Sequence, residues 1–85
     1  MLHEERSRVS TETQDMARAI DSLREELEAV DWYNQRADAC DNKELREILI
    51  HNANEEKEHA SMLLEWIRRN DTIFDHELRD NLFQE

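Results

Sequence analysis

Apolar and polar residues alternate along the chain with the spacing of amphipathic α-helices. Between residues 11 and 39 the apolar positions recur every three or four residues, and a second pattern of this kind runs from about residue 42 to 69. This period predicts two long helices, and the apolar residues after position 71 predict a short third helix up to about residue 83. The apolar line of the first helix consists of Met16, Ile20, Leu23, Leu27, Val30 and Ala37, with Asn34 in register. The line of the second helix consists of Leu45, Leu49, Asn52, Glu56, His59, Leu63 and Trp66.

Polar residues predict where the helices begin and end. Thr11 and Asp41 are each followed three residues later by Gln or Glu, which is the spacing of a capping box. Asp71 predicts the start of the third helix, and Asn70 is expected to end the second helix in the left-handed conformation. The connection between the two long helices is therefore predicted to be short.

The composition favours an all-α fold. The 85 residues include no glycine and no proline, and 39% are charged while 6% are aromatic, a mixture that suits long helices. We predict an antiparallel two-helix hairpin with a short C-terminal helix, in one domain over residues 10–85 that follows a flexible lead over residues 1–9. Two helices cannot enclose a core, and 38% hydrophobic residues are few for a chain that buries its own core. Two hairpins are therefore expected to dimerise into a four-helix bundle.

The charge of the chain restricts its partners. With 22 acidic against 11 basic residues the formal net charge is −11, which repels nucleic acids and anionic membranes and attracts cations. No apolar run approaches the roughly 18 residues of a membrane span, and Cys40 has no second cysteine to pair with, so a soluble cytoplasmic protein is expected. The sequence assigns no role to Cys40 or to His51.

The stretch "NEEKEHAS" (54–61) places charge on the apolar line of the second helix. At 100° per residue, Asn52, Glu56 and His59 fall within roughly 40° of the centre of that line, so they face the predicted core. An unpaired buried carboxylate is costly, and Glu56 is therefore expected to have a neutralising partner. The Glu-x-x-His spacing, with a further Glu from a neighbouring helix, is the ligand pattern of ferritin-like di-metal carboxylate proteins. A solvated helix face or a buried ion pair is the alternative interpretation.

Glu26 is the expected third ligand. It flanks the apolar line of the first helix, and Glu26 and Glu56 each lie about 15 residues from the predicted turn, so the hairpin brings them to similar depth. One chain then supplies half of a two-metal site, and two chains supply four carboxylates and two imidazoles, which balance two divalent cations. Oxygen and nitrogen donors suit iron or manganese, with zinc or calcium as substitutes. Tyr33, two turns beyond Glu26, either hydrogen-bonds a ligand carboxylate or is a packed aromatic residue.

Four stretches resemble the encapsulated ferritins. They are "EELEAVDWYNQRADA" (25–39), "HNANEEKEHA" (51–60), "LEWIRRND" (64–71) and the ending "LRDNLF" (78–83). The resemblance implies a ferritin-like bundle of two copies with a di-iron ferroxidase centre, two iron ions per dimer, and a ring-shaped decamer of five dimers. It also implies oxidation of Fe(II) by dioxygen inside an encapsulin shell in the cytoplasm. The family's iron ligands correspond to Glu26, Glu56 and His59, with Trp32 and Tyr33 beside them.

By the same resemblance, Glu25 and Glu28 correspond to an outer acidic site that gathers metal ions. They share with Trp32 a face opposite the apolar line, so a contact between subunits that is anchored by Trp32 is the alternative interpretation. Shell-bound members carry a C-terminal docking peptide that is not recognisable in the final "NLFQE", so the mode of docking is not predicted. The competing hypothesis for the function is a non-catalytic helical module whose oligomer is stabilised by metal.

Overall fold

The structure is a computed structural model that describes residues 2–85. Its elements are a one-turn 3₁₀-helix over Arg6–Arg8 and three α-helices, α1 over Thr11–Ala39, α2 over Lys43–Arg69 and α3 over Thr72–Asn81. The described residues contain no strand, so the predicted all-α fold with two long helices and one short helix is confirmed. None of the helices within residues 2–85 contains an apolar stretch of the length that a membrane span requires.

The N-caps of α1 and α2 lie one residue away from the predicted positions. The Ser10 side chain accepts a hydrogen bond from a backbone N–H in the first turn of α1 at 3.1 Å, so the prediction of Thr11 is wrong. The cap of α2 is Asn42, whose side chain accepts such a bond at 2.9 Å, and not Asp41. An N-cap residue keeps an extended backbone, which Ser10 and Asn42 have with ψ of 157° and 117°.

The lead contacts the first turn of α1. Gln14 donates from Nε2 to the carbonyl oxygen of Val9 at 2.9 Å, and Gln14 Oε1 accepts from Arg6 at 2.6 Å. These bonds hold the end of the lead beside the helix. The flexibility of residues 1–9 stays a prediction, and Met1 lies outside the described residues.

Charged side chains join α3 to the end of α2. Asp71 caps α3 as predicted, because its carboxylate accepts from a backbone N–H of the first turn at 2.9 Å. Asn70 has a φ of −110°, so the predicted left-handed cap is wrong. Arg68 donates to Glu65 within α2 at 2.7 Å and to Asp75 of α3 at 2.6 Å. These hydrogen bonds lower the pKa of Glu65 to about 2 and also lower the pKa of Asp75.

Small side chains form the contact between α1 and α2. The buried hydrophobic residues of the described chain are Ala19, Ala37, Ala53, Ala60 and Ile67. Alanine lets two helix axes approach closely, because little side-chain volume separates them. Ile67 is the one large side chain among residues 2–85 that is fully buried. The core of a single hairpin is therefore small, in line with the low hydrophobic content.

A stripe of mostly apolar residues stays exposed on α2. The buried residues of α2 directly follow Asn52, His59 and Trp66, so the side that faces α1 is turned by one residue from the predicted apolar line. A single neighbouring helix covers only one flank of that line. The uncovered flank, which we name the outward stripe, consists of Leu45, Ile48, His59, Met62 and Trp66. The four apolar members of the outward stripe are between 37% and 65% exposed.

Candidate metal centre

Glu26, Glu56 and His59 meet near the middle of the hairpin. Glu26 lies on α1, while Glu56 and His59 lie on adjacent turns of α2. His59 Nδ1 is 3.4 Å from Glu26 Oε2 and 3.6 Å from Glu56 Oε2. One ligand atom from each of the three residues lies within 4.8 Å of the other two. The structure thus brings together the three residues that the sequence singled out as ligands, and we refer to them as the triad.

The residues around Glu56 explain how carboxylates on two helices reach one imidazole. Ala53 and Ala60 lie about one turn before and one turn after Glu56, and both are buried against α1. Their small side chains let α1 approach, so Glu26 comes within ion-pair distance of His59. A larger side chain at either position would separate the two helices at the triad.

No lysine or arginine among residues 2–85 forms an ion pair with either of the two carboxylates. Among residues 2–85, the one ion-pair partner of Glu26 and of Glu56 is His59. Oε2 of Glu26 is buried and accepts no hydrogen bond from the described part of the chain. A buried carboxylate oxygen without a donor is unfavourable because it has lost its hydration without replacement. A cation held beside Glu26 would remove this cost.

The triad is an incomplete coordination shell that opens outward. The side chains of Glu26 and Glu56 are 24% and 23% exposed, whereas that of His59 is 47% exposed. Three donors are fewer than the about four to six that transition metals take. Because His59 belongs to the outward stripe, the open side of the triad coincides with apolar surface that α1 leaves uncovered.

The other predicted site residues lie outside the triad. Tyr33 is half-buried, and its hydroxyl makes no hydrogen bond to residues 2–85, while Trp32 is 49% exposed. Glu25 and Glu28 are exposed and do not join the group of potential ligands in the described chain. His51 pairs on the surface with Glu55 at 3.6 Å, and Cys40 is a partly exposed free thiol at the end of α1. None of these residues contributes an atom to the triad.

Arg36 is a residue of this region that the sequence interpretation missed. Its guanidinium carbon lies 5.7 Å from the centre of the Trp32 ring and 5.4 Å from the centre of the Tyr33 ring. These are the distances of cation–π interactions. The available signal was the spacing, because Arg36 follows Trp32 by four residues and Tyr33 by three, which are neighbouring positions on a helix.

Similar proteins have names that refer to ferritin and to encapsulins. A family model described as EncFtn-like matches residues 1–85. An "Encapsulated ferritin-like protein" of Rhodospirillum rubrum is 55% identical over 83 residues, which are 98% of this chain and 59% of that protein. An "Encapsulin nanocompartment cargo protein EncC" of Myxococcus xanthus is 40% identical over 65 residues, which are 75% of this chain and 49% of that protein. The chain therefore spans only part of the length of these two relatives.

A solved structure has the same arrangement of helices. The crystal structure of protein ne0167 from Nitrosomonas europaea matches with a TM-score of 0.96 at 64% sequence identity. The match covers 99% of this chain and 92% of that one. At this similarity the two hairpins and their third helices share one fold.

Proposed function

The chain belongs to the EncFtn-like family, and we propose that it acts as a ferroxidase. In this proposal Fe(II) and dioxygen are the substrates, and Fe(III) is the product. Glu26, Glu56 and His59 hold iron, and two copies of the chain complete a two-iron centre between them. The observation that carries the proposal is the buried Oε2 of Glu26, which has no hydrogen-bond donor and no basic partner other than His59 among residues 2–85.

The donor set of the triad suits iron. Two carboxylates and one imidazole without a thiolate are ligands that iron and manganese accept, and zinc or calcium can occupy such a site without redox chemistry. His59 Nδ1 faces both carboxylates, so Nδ1 is the ring nitrogen assigned to the metal. Bound iron would supply the Fe(II)/Fe(III) couple from which electrons pass to dioxygen. The residues of the triad hold the ion and leave coordination positions open.

A second copy supplies what one triad lacks. Two chains bring four carboxylates and two neutral imidazoles to one site, and four negative charges balance two Fe(II) ions. Met62 and Trp66 of the outward stripe follow His59 along the same flank of α2, so burial of this flank against a second copy would close the open side of the triad. A symmetric dimer places the same stripe on both copies, as closed two-fold assemblies require. Further contacts between dimers would give the ring-shaped decamer that the family resemblance implies.

The acidic surface has a supporting role in the proposal. The net charge of −11 attracts Fe(II), and the exposed carboxylates of Glu25 and Glu28 gather it near Trp32. Tyr33 lies on α1 about two turns beyond Glu26. The relatives whose names refer to encapsulation support a place for this chain inside an encapsulin shell in the cytoplasm, where Fe(III) is stored.

Stopped-flow absorbance after mixing with aerobic Fe(II) tests the proposed function. The wild-type protein is expected to form Fe(III) rapidly, and Glu56→Ala is expected to lose the rapid phase because it removes one carboxylate from each half of the site. Glu58→Ala is the matched control, since Glu58 is an exposed glutamate of the same helix that lies outside the triad. Metal content per chain, measured in parallel, separates a loss of binding from a loss of turnover.

The outcomes distinguish the ferroxidase from a structural metal site. Equal rates in the wild type and in Glu56→Ala would reject the assignment of Glu56. Iron that binds without oxygen at about one ion per chain, but gives no colour change in air, would show that the site binds metal without turnover, as the non-catalytic alternative predicts. The Glu58→Ala variant is expected to match the wild type in both measurements.

A further inference from the structure

Arg36 interacts with two aromatic rings instead of with an acid. The chain contains 22 acidic residues, yet Arg36 forms no ion pair with any carboxylate among residues 2–85. Its guanidinium carbon instead lies 5.7 Å and 5.4 Å from the ring centres of Trp32 and Tyr33. One fixed positive charge therefore acts on both of these aromatic residues.

This arrangement lies on the side of the hairpin where the triad opens. Tyr33 follows Glu26 by seven residues, which is about 10.5 Å along the helix axis, and helical side chains lean back toward the N-terminus. Arg36 and His59 each directly precede a buried alanine, Ala37 and Ala60, so at 100° per residue each lies roughly 100° to one side of the contact between α1 and α2. In an antiparallel pair, positions displaced in the same sense on the two helices lie on the same side of the pair. The two rings and the cation therefore lie on the same side of the hairpin as the open side of the triad.

We propose that Arg36 protects Tyr33 and Trp32 against one-electron oxidation. The purpose of this protection depends on the proposed function, because a site that reduces dioxygen exposes neighbouring rings to oxidants. When Trp32 is oxidised, it gives one electron to the oxidant and then its indole N–H proton to water. Tyr33 likewise gives one electron to the oxidant and its phenolic proton to water. The positive charge of Arg36 opposes the removal of an electron from either ring.

The composition of the chain makes this proposal measurable. Tyr33 is the single tyrosine, so any tyrosyl radical signal comes from that residue. Trp66 is the only other tryptophan, and because substitution of Arg36 leaves it unchanged, its loss serves as an internal reference when variants are compared. No cation–π contact involves Trp66 in the described chain. The ratio of Trp32 loss to Trp66 loss therefore reports the effect of Arg36 within one molecule.

The first experiment uses iron-free protein and an external oxidant. Photochemically produced sulfate radicals each accept one electron and become sulfate, and peptide mass spectrometry follows the loss of unmodified Trp32 and Trp66. Arg36→Gln is expected to raise the Trp32 to Trp66 ratio about threefold, the factor that one unit charge at this separation gives at the dielectric constant of water. Arg36→Lys keeps the charge and is expected to stay near the wild type. Arg18→Gln removes another exposed arginine, which pairs with Asp15, and it should leave the ratio unchanged.

Three results would overturn the proposal. They are an unchanged ratio in Arg36→Gln, an equal rise in Arg18→Gln, and a rise in Arg36→Lys as large as that in Arg36→Gln. The first would show that the cation has no effect on the rings, and the second that any surface charge has the same effect. The third would show that the planar guanidinium shields the ring by covering it and not by its charge. Electron paramagnetic resonance of the Tyr33 radical gives an independent reading, with a larger yield expected in Arg36→Gln.

A second experiment with iron separates this inference from the proposed function. Aerobic Fe(II) is added to the wild type and to Arg36→Gln, and the tyrosyl radical signal and Trp32 loss are measured per Fe(II) oxidised. A higher yield in Arg36→Gln at an equal rate of iron oxidation supports both proposals. If the wild type does not oxidise Fe(II), the ferroxidase assignment fails while the iron-free result for Arg36 stands. If iron is oxidised and the yields are equal, the protective role of Arg36 fails alone.

Discussion

Met62→Glu is the substitution that best tests whether a second copy covers the outward stripe. Met62 is the most exposed apolar member of that stripe, at 65%. The whole chain exposes 7045 Å², whereas a folded monomer of 10.3 kDa is expected to expose about 5,400 Å². The excess of about 1,700 Å² is roughly twice the surface that one partner buries in an interface of standard size. The chain therefore has room for a second copy on this stripe and for further contacts elsewhere.

The size of the effect follows from the area that Met62 still exposes. Full burial of a methionine side chain contributes about 1.5–3 kcal/mol, and two copies of Met62 enter a symmetric interface. With two-thirds of each side chain left to bury, the wild-type dimer gains about 2–4 kcal/mol from this residue, which corresponds to a factor of about 30 to 1,000 in the dissociation constant. Glutamate loses this gain and adds the cost of burying a charge.

Sedimentation equilibrium at several protein concentrations measures the dissociation constant directly. Asn54→Glu is the matched control, because it adds the same charge at an exposed position of α2 that is turned about 120° from the outward stripe. We expect Met62→Glu to be monomeric at concentrations where the wild type and Asn54→Glu are associated. Equal association of all three proteins, or a wild type that is a stable monomer at micromolar concentration, would refute the reasoning.

Three further predictions concern the core, the charges of α2 and the metal. Ile67→Ala is expected to lower the free energy of unfolding by about 2–5 kcal/mol in urea titrations, whereas Ile73→Ala, at a site 71% exposed, should change it by less than about 0.5 kcal/mol. The folded-state pKa of Glu65 is lowered from 4.5 to about 2, so its ionised form favours folding above pH 4.5 and this contribution is lost as the pH falls toward 2. Glu65→Gln should therefore show a smaller drop in the urea midpoint between pH 5 and 2.5 than the wild type. An equal drop in the two proteins would contradict the assignment. Native mass spectrometry should show a smaller assembly after chelation than with Fe(II) added without oxygen, and identical distributions would count against a shared site.

The sequence predicted the helices better than their ends. Helix positions follow from the period of apolar residues, which is spread over more than 25 residues in α1 and α2. An N-cap is decided by the backbone conformation of one residue, and Ser10 beside Thr11 offers two hydroxyl groups that can each cap. Asp41 and Asn42 present the same choice for α2. The extended backbone at Ser10 and Asn42 determines that these residues are the N-caps. The local sequence does not specify this backbone conformation.

The triad could be predicted from the sequence because the positions of its three residues depend only on helical spacing and on the pairing of the two helices. Glu56 and His59 are fixed by helical spacing, and the position of Glu26 follows from an antiparallel hairpin with a short turn. The way each helix is rotated was harder to predict. Large apolar residues were expected at the centre of the contact, whereas Ala53 and Ala60 fill it and Trp66 is left on its flank. The sizes of the apolar side chains do not indicate which flank of the apolar line of α2 packs against α1.

The coincidence of the outward stripe with the open side of the triad links assembly to metal binding. In the proposed centre, a second copy that covers Met62 and Trp66 also brings its own triad to His59, so a contact that buries apolar surface adds donors to the site. Thermodynamic linkage makes the two effects equal: if bound metal tightens the association of two copies by some factor, association tightens metal binding by the same factor. Met62→Glu should therefore weaken Fe(II) binding although Met62 is not a ligand. A single hairpin has a small core and an unneutralised Glu26, and a shared metal centre would relieve both.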